Sequence, residues 1–430
     1  MYLNKKIAFH TLGCKLNFSE TSSIARQFLD LGYEKTNFDS NADIYILNTC
    51  SVTENANKQC KNIIRKVKKR NPNSFVIVTG CFAQLKPKEI SKINGVDMVV
   101  GASEKFNIPS LLKRENNNEN IYGCQINNLN YFSSFSLNDR TRSFLKIQDG
   151  CDYPCTYCTI PLARGSSRTD TIENIIKNVK EIAKNDIKEI VLTGVNIGLF
   201  KDKNNGEGLL ELIKYLENIK GIDRYRISSI EPNLITSDII DFIASSKKFM
   251  PHFHIPLQSG SDNILGKMKR RYNTKLYKNK INEIIEKIPN VCIGADVIVG
   301  FPGEDDTEFN KTVNFIKELK IAYLHVFTYS ERENTEAVNL INIVDKKIRK
   351  ERSQKLRILS EKLKYNFYKK YIHTDTSVLF EQENKNGYLL GFTKNYIRTK
   401  IPFNKDYIKT RQKVRLTGIE KDTLMQAQII

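Results

Sequence analysis

Over residues 1–114, short apolar runs alternate with stretches of helical periodicity. The runs at 7–12, 44–47, 75–78 and 98–100 carry no charged residue, as expected of strands buried on both faces of a parallel sheet. Between them Ile24, Phe28 and Leu31, and then Ile63, Ile64 and Val67, recur at helical spacing and mark amphipathic helices. The alternation predicts a doubly wound α/β domain.

A polar, Asn- and Ser-rich join is expected over 115–142, and the rhythm then restarts. Strands are predicted at 144–147, 189–192, 225–230, 252–257, 291–299 and 323–328, with helices at 172–183, 209–216, 276–288 and 309–319. Six βα units are too few for a closed eight-stranded barrel and predict a partial one over 143–343. Next comes one long basic helix, 344–371, with Ile348, Leu356, Leu359, Leu363 and Phe367 on an apolar stripe. Short strand-like runs at 377–380, 388–392, 396–399 and 413–416 predict a small antiparallel β domain over 372–430.

Composition narrows the classes. Hydrophobic content of 40% with 27% charged residues is that of a soluble protein, and no uninterrupted apolar run reaches membrane-spanning length. Without an apolar leader the chain reads as cytoplasmic, and its odd count of nine cysteines does not suit a disulfide framework. A net charge of +20 points to a polyanionic partner, or reflects a Lys- and Asn-rich composition.

The cysteines carry the chemistry. Cys151, Cys155 and Cys158 fall within eight residues, too close to staple a fold and well placed to gather round one metal centre. A zinc site wants a fourth ligand, which this stretch lacks; three thiolates on a four-iron cluster leave one iron open. Three more cysteines follow the first three strands, in Leu12-Gly13-Cys14, Asn48-Thr49-Cys50 and Thr79-Gly80-Cys81. Adjacent parallel strands bring their carboxyl ends to one edge, so these thiols should converge on a second cluster. Cys60, Cys124 and Cys292 lack such placement and are read as structural.

Cys151-x-x-x-Cys155-x-x-Cys158, with Tyr157 inside it, resembles the signature of the radical S-adenosylmethionine (SAM) enzymes. A three-cysteine α/β domain, such a barrel and a small terminal β domain together resemble the radical SAM methylthiotransferases, whose last domain, TRAM, grips tRNA. The resemblance implies a [4Fe-4S] cluster on Cys151, Cys155 and Cys158 whose open iron binds SAM, and an auxiliary [4Fe-4S] cluster on Cys14, Cys50 and Cys81. It implies a SAM pocket at the barrel's strand ends, with Tyr157, Gly194, Asn196, Glu231 and Gln258 as contacts. Asp296 either touches SAM or pairs with a lysine; His252, His254 and His325 are read as pocket-lining or core residues.

The motifs Thr11-Leu12-Gly13-Cys14-Lys15-Leu16-Asn17, Arg164-Gly165-Ser166-Ser167-Arg168 and Leu257-Gln258-Ser259-Gly260-Ser261-Asp262 resemble the branch acting on N6-threonylcarbamoyladenosine beside the tRNA anticodon. Phe18-Ser19-Glu20 departs from the Gln-Tyr-Glu commonly seen there. That branch implies exchange of the adenine C2 hydrogen for SCH3. One SAM methylates sulfur at the auxiliary cluster, and a second supplies a 5′-deoxyadenosyl radical. Arg164, Arg168, Lys394, Tyr396 and Arg398 are the expected RNA contacts, and flavodoxin or ferredoxin the expected type of reductant; the sulfur donor is open. Rival readings are isopentenyladenosine in tRNA or a ribosomal-protein aspartate as substrate and, more distantly, a non-catalytic iron–sulfur RNA-binding protein.

Overall fold

The computed structural model describes residues 5–51, 54–113, 120–126, 129–137, 140–420 and 423–430. Six strands, β1 (Lys6–Thr11), β2 (Glu34–Thr36), β3 (Ile44–Thr49), β4 (Phe75–Gly80), β5 (Met98–Val100) and β6 (Ile121–Tyr122), form one sheet in the order β2-β1-β3-β4-β5-β6. Every pairing in it is parallel. Alternate residues feed two cores: Tyr45, Leu47, Val76 and Val78 on one face, Ile44, Ile46 and Ile77 on the other. This two-sided burial is why the strands read as continuous apolar runs. The strand order reverses between β1 and β3, which opens a crevice at their carboxyl ends.

The segment expected to be only a polar join does more. It supplies β6, and further on Phe135 bridges to Leu145, while the Ser134 hydroxyl meets Ser19 at 3.0 Å. The join therefore packs against both neighbours. Residues 115–119, 127–128 and 138–139 of it lie outside the described residues.

The second unit contains β7 (Arg142–Lys146), β8 (Gln148–Asp149), β9 (Arg168–Thr169), β10 (Glu189–Thr193), β11 (Arg224–Ile227), β12 (His252–His254), β13 (Cys292–Val299) and β14 (Tyr323–Thr328). Strands β7, β10 and β11 form one parallel set and β12, β13 and β14 another. Parallel bridges Tyr225–Phe249 and Ser229–His254 join the two sets into the predicted six-stranded partial barrel. Strands β8 and β9 make an antiparallel clasp at its mouth.

Helix Lys346–Lys369 lays Leu356, wholly buried, on this barrel, and the Ser360 hydroxyl bonds both the N–H and the C=O of Leu324. The chain ends in β15 (Asp375–Lys385), β16 (Tyr388–Thr393), β17 (Arg398–Pro402), β18 (Arg411–Ile419) and β19 (Met425–Ile429), closed in the order β15-β16-β17-β19-β18. It is a closed barrel with one parallel pair, β17 with β19, where the sequence suggested a purely antiparallel domain. Tyr396 sits in the turn before β17 at a φ of +64° and is not a strand residue.

Candidate active site

The three strand-end cysteines follow β1, β3 and β4, neighbours in the parallel sheet, and so lie along one edge of it. Cys14 is the N-cap of helix Lys15–Asp30 just beyond β1, Cys50 follows β3, and Cys81 opens the short helix after β4. Gly13, at a φ of +102°, lies so close that a Cβ there would stand 2.7 Å from the Cys50 Cβ; any larger residue would push the two loops apart. Burial pushes the Cys14 thiol up, and the Arg164 charge and an N–H donated by Asn17 draw it part of the way back.

At the mouth of the partial barrel each thiol of the other set has a donor. The Tyr153 N–H points at Cys151 Sγ and the Ile160 N–H at Cys158 Sγ, each at 3.5 Å, and Arg270 Nη1 stands 3.0 Å from Cys155 Sγ. Donors aimed at sulfur are what thiolates bound to a cationic centre require. The residues present therefore fit a [4Fe-4S] cluster.

The expected SAM contacts divide. Tyr157, Gln258 and Asp296 line one cavity of about 220 Å³ together with Cys158. Asn196 is buried, and neither its Oδ1 nor its Nδ2 has a partner within the protein. The Gln258 Oε1 is likewise buried and unsatisfied, on a residue held at a φ of +62°. Orphaned polar atoms of this kind suit a polar ligand. Gly194 lies in the loop two residues before Asn196, whose backbone N–H, like that of Val195, donates to Gln148. Glu231 bonds Arg270 instead of facing the cavity alone, and Arg270 also reaches the Tyr157 hydroxyl at 3.3 Å. Arg270 thus ties thiol, tyrosine and carboxylate together, and the only sequence trace of it is the run Lys269-Arg270-Arg271.

Asp296 pairs with two histidines and with no lysine among the described residues. Its Oδ1 lies 2.8 Å from His254 Nε2 and 3.3 Å from His325 Nδ1. Burial would raise its carboxyl, and these two hydrogen bonds hold it well below the usual range. His252 is a core residue, as read, bonded to the Tyr323 hydroxyl at 3.0 Å and stacked on Tyr396 at 4.1 Å. Cys60 and Cys292 are buried thiols, and burial pushes Cys60 up to about 12. Cys124, half-buried, bonds backbone carbonyls.

Two of the expected RNA contacts, Arg164 and Arg168, bond within the protein. Arg164 is only 3% exposed; its Nη1 reaches Glu20 Oε1 at 3.0 Å and Asp149 Oδ1 at 2.8 Å, and its Nη2 reaches Asn17 Oδ1 at 2.6 Å. Arg168 caps backbone carbonyls of Asn130 and Ser166 and lies 3.3 Å from Asp149. The Arg164 guanidinium is consumed inside the protein, and that of Arg168 is held at its part-exposed edge. Lys105 and Lys146 join the same network on Glu20. Burial favours the neutral acid at Glu20, and Arg164, Lys105 and Lys146 more than reverse it, holding the carboxyl well below its ordinary value. Four cations, Arg164, Arg168, Lys105 and Lys146, face two carboxylates, Glu20 and Asp149. The Arg164 charge also favours the thiolate form of Cys14.

Lys394 is exposed, and Tyr396 and Arg398 are partly exposed. Tyr396 and Arg398 line a cavity of about 760 Å³ that also includes Cys14, Lys15, Phe18, Arg142, Arg226 and His252. The terminal barrel is seated there by Arg224, which donates to the Phe392 and Ser377 carbonyls, and by Arg226, which donates to those of Thr393 and Lys394. Glu189, fully buried beneath, receives Arg142 and Arg226 at 2.8 Å each. Burial would raise the Glu189 carboxyl; Arg226, Arg142 and Arg224 bring it down to about 2.

A partial barrel with three thiols at its mouth, each met by a donor, beside a cavity with orphaned polar groups, defines a radical SAM protein. Residues 145–316 match the radical SAM superfamily and residues 6–101 an uncharacterized protein family, UPF0004. The chain is 37% identical to a threonylcarbamoyladenosine tRNA methylthiotransferase MtaB of Bacillus subtilis, over 95% of this chain and 93% of that one. The protein of that name from Thermotoga maritima is 34% identical over 93% and 92%. A tRNA-2-methylthio-N(6)-dimethylallyladenosine synthase of Fusobacterium nucleatum is 35% identical over 89% of each. The chain belongs to the radical SAM methylthiotransferase family. In fold it resembles a radical SAM methyltransferase of Kitasatospora setae, with a TM-score of 0.55, 12% identity, and 75% and 73% of the two chains covered.

Proposed function

We propose that the protein is a tRNA methylthiotransferase that replaces the C2 hydrogen of N6-threonylcarbamoyladenosine with a methylthio group. The observation that carries this is Arg164, just beyond Cys158, which reaches Glu20 and Asn17 on the helix that follows Cys14 and Asp149 just before Cys151. The four MtaB-named relatives, 34–37% identical over at least 92% of this chain, support the substrate.

Cys151, Cys155 and Cys158 would hold a [4Fe-4S] cluster that supplies the electron for SAM cleavage, and Cys14, Cys50 and Cys81 would hold a second one that carries the sulfur to be methylated. The chain's own residues do the rest. Arg270 neutralises Cys155 and orients Tyr157 and Glu231 beside the cavity. Asn196 and Gln258 offer their unpaired polar atoms to SAM. The Arg164 network fixes the distance between the thiol sets, since both Asn17 and Asp149 stand close to a ligand cysteine in sequence. Phe18, Phe144, Phe392 and Tyr396 give the larger cavity faces on which a base stacks. A cytoplasmic setting, a tRNA substrate and a flavodoxin- or ferredoxin-type reductant complete the proposal; no helix among the described residues is long and apolar enough to cross a membrane.

Mass spectrometry of nucleosides from tRNA of a strain lacking the gene is the test. Loss of 2-methylthio-N6-threonylcarbamoyladenosine with build-up of its precursor is expected. Loss of the dimethylallyl analogue instead would move the protein to the other branch.

A further inference from the structure

The larger cavity is charged in a way the proposed chemistry alone does not require. Lys15, Arg140, Arg142, Arg226 and Arg398 line it, against Glu381 and Glu383, with Glu189 buried just behind. Most of these charges are already committed. Arg142 meets Glu189 at 2.8 Å and Glu381 at 3.3 Å; Arg226 meets Glu189 and two carbonyls; Arg140 lies over the Phe18 ring at 4.4 Å. Arg398 reaches Glu381 only at 3.7 Å. Among the described residues no carboxylate pairs with Lys15, although it follows Cys14 directly and opens into the cavity.

The two branches of the family differ in the charge of what hangs on N6. A threonylcarbamoyl group ends in a carboxylate, and a dimethylallyl group is a neutral hydrocarbon. C2 and N6 flank N1 on one edge of adenine. A base that presents C2 to the Cys14 side therefore brings its N6 substituent within reach of the residue next to Cys14. An ammonium in a cavity of excess positive charge favours an anion there and leaves a neutral substituent facing a desolvated charge.

Resting on the substrate reading above, we propose that Lys15, with Arg398 on the terminal-barrel wall, receives the carboxylate of the threonyl group and so selects an anionic N6 substituent over a prenyl one. Lys15 here is a specificity residue and takes no part in the radical step.

The test measures affinity of the cluster-loaded enzyme for one tRNA in three forms: with threonylcarbamoyladenosine, with its carboxylate converted to the amide, and unmodified at that adenosine. The wild type is expected to bind the carboxylate form roughly ten- to a hundredfold tighter than the amide. Lys15→Gln should erase that preference without changing affinity for the unmodified tRNA, and Lys15→Arg should restore it. Arg398→Gln, on the terminal barrel and not beside a cysteine in sequence, should reduce the preference even if Lys15→Gln fails to hold its iron. A wild type blind to the amide, while still modifying threonylcarbamoyladenosine, would overturn the proposal, as would variants that keep the full preference. A wild type that modifies only dimethylallyladenosine would instead sink the substrate reading on which the proposal rests.

Discussion

Arg164 bonds Glu20 through both of its terminal nitrogens, at 3.0 and 3.1 Å, and so ties the helix that begins beside Cys14 to the loop that carries Cys151. The pair spans two units of the fold with almost no access to water. The spacing of the two thiol sets is thus a property of the interface as much as of either unit.

Arg164→Met should therefore be a stability variant. It leaves Glu20 and Asp149 buried with fewer cations, a loss of about 3–5 kcal/mol. Denaturant unfolding should show it, and the salt dependence of tRNA binding should not change. A flatter salt slope with unchanged stability would put Arg164 back among the phosphate contacts.

The two thiol sets should be separable. Cys155→Ala and Cys81→Ala should each retain about half the iron of the wild type, about four per chain. Cys81→Ala should still cleave SAM under reduction and Cys155→Ala should not; neither should yield methylthiolated tRNA. A Cys81→Ala protein with a full iron complement would refute the second cluster.

Arg270→Gln removes a positive charge 3.0 Å from Cys155 Sγ. The cluster there should become harder to reduce, so its potential should move negative, and SAM cleavage should slow by about tenfold or more. Electron paramagnetic resonance during a reductive titration reads the first effect. An unchanged potential would confine Arg270 to orienting Glu231.

Acid should loosen the seat of the terminal barrel. Glu189 has a folded pKa of about 2 against an ordinary 4.5, so its contribution is present above 4.5 and is lost as the pH falls through 2. It amounts to about 3 kcal/mol at most. Unfolding free energy measured across that window should fall, and Glu189→Gln, weaker at neutral pH, should show a shallower slope. Equal slopes would assign the acid sensitivity to other carboxylates.

Much of this was legible in the chain. Cys14, Cys50 and Cys81 could be placed together because each follows a strand and parallel strands share an edge. The six barrel strands announced themselves by their apolar runs. What escaped was pairing across long separations. Glu20 and Asp149 are far apart in sequence, so nothing local links them through one arginine. Arg164 and Arg168 looked like phosphate contacts because a basic residue near a cluster loop carries no mark of its burial. Glu20, the one residue of Phe18-Ser19-Glu20 that keeps the family's pattern, is the network's central carboxylate. Tyr396 and Arg398 belong to a module expected to grip RNA, and the docking through Arg224 and Arg226 places them on the wall of the cavity that Cys14 lines.

That docking limits how the chain can be recombined. The terminal barrel supplies Phe392, Tyr396 and Arg398 to the cavity that Cys14 lines, so it is a wall of the reaction vessel and cannot be exchanged as a handle. A chimera carrying the barrel of a relative with another substrate would inherit part of that relative's taste along with its hold on tRNA.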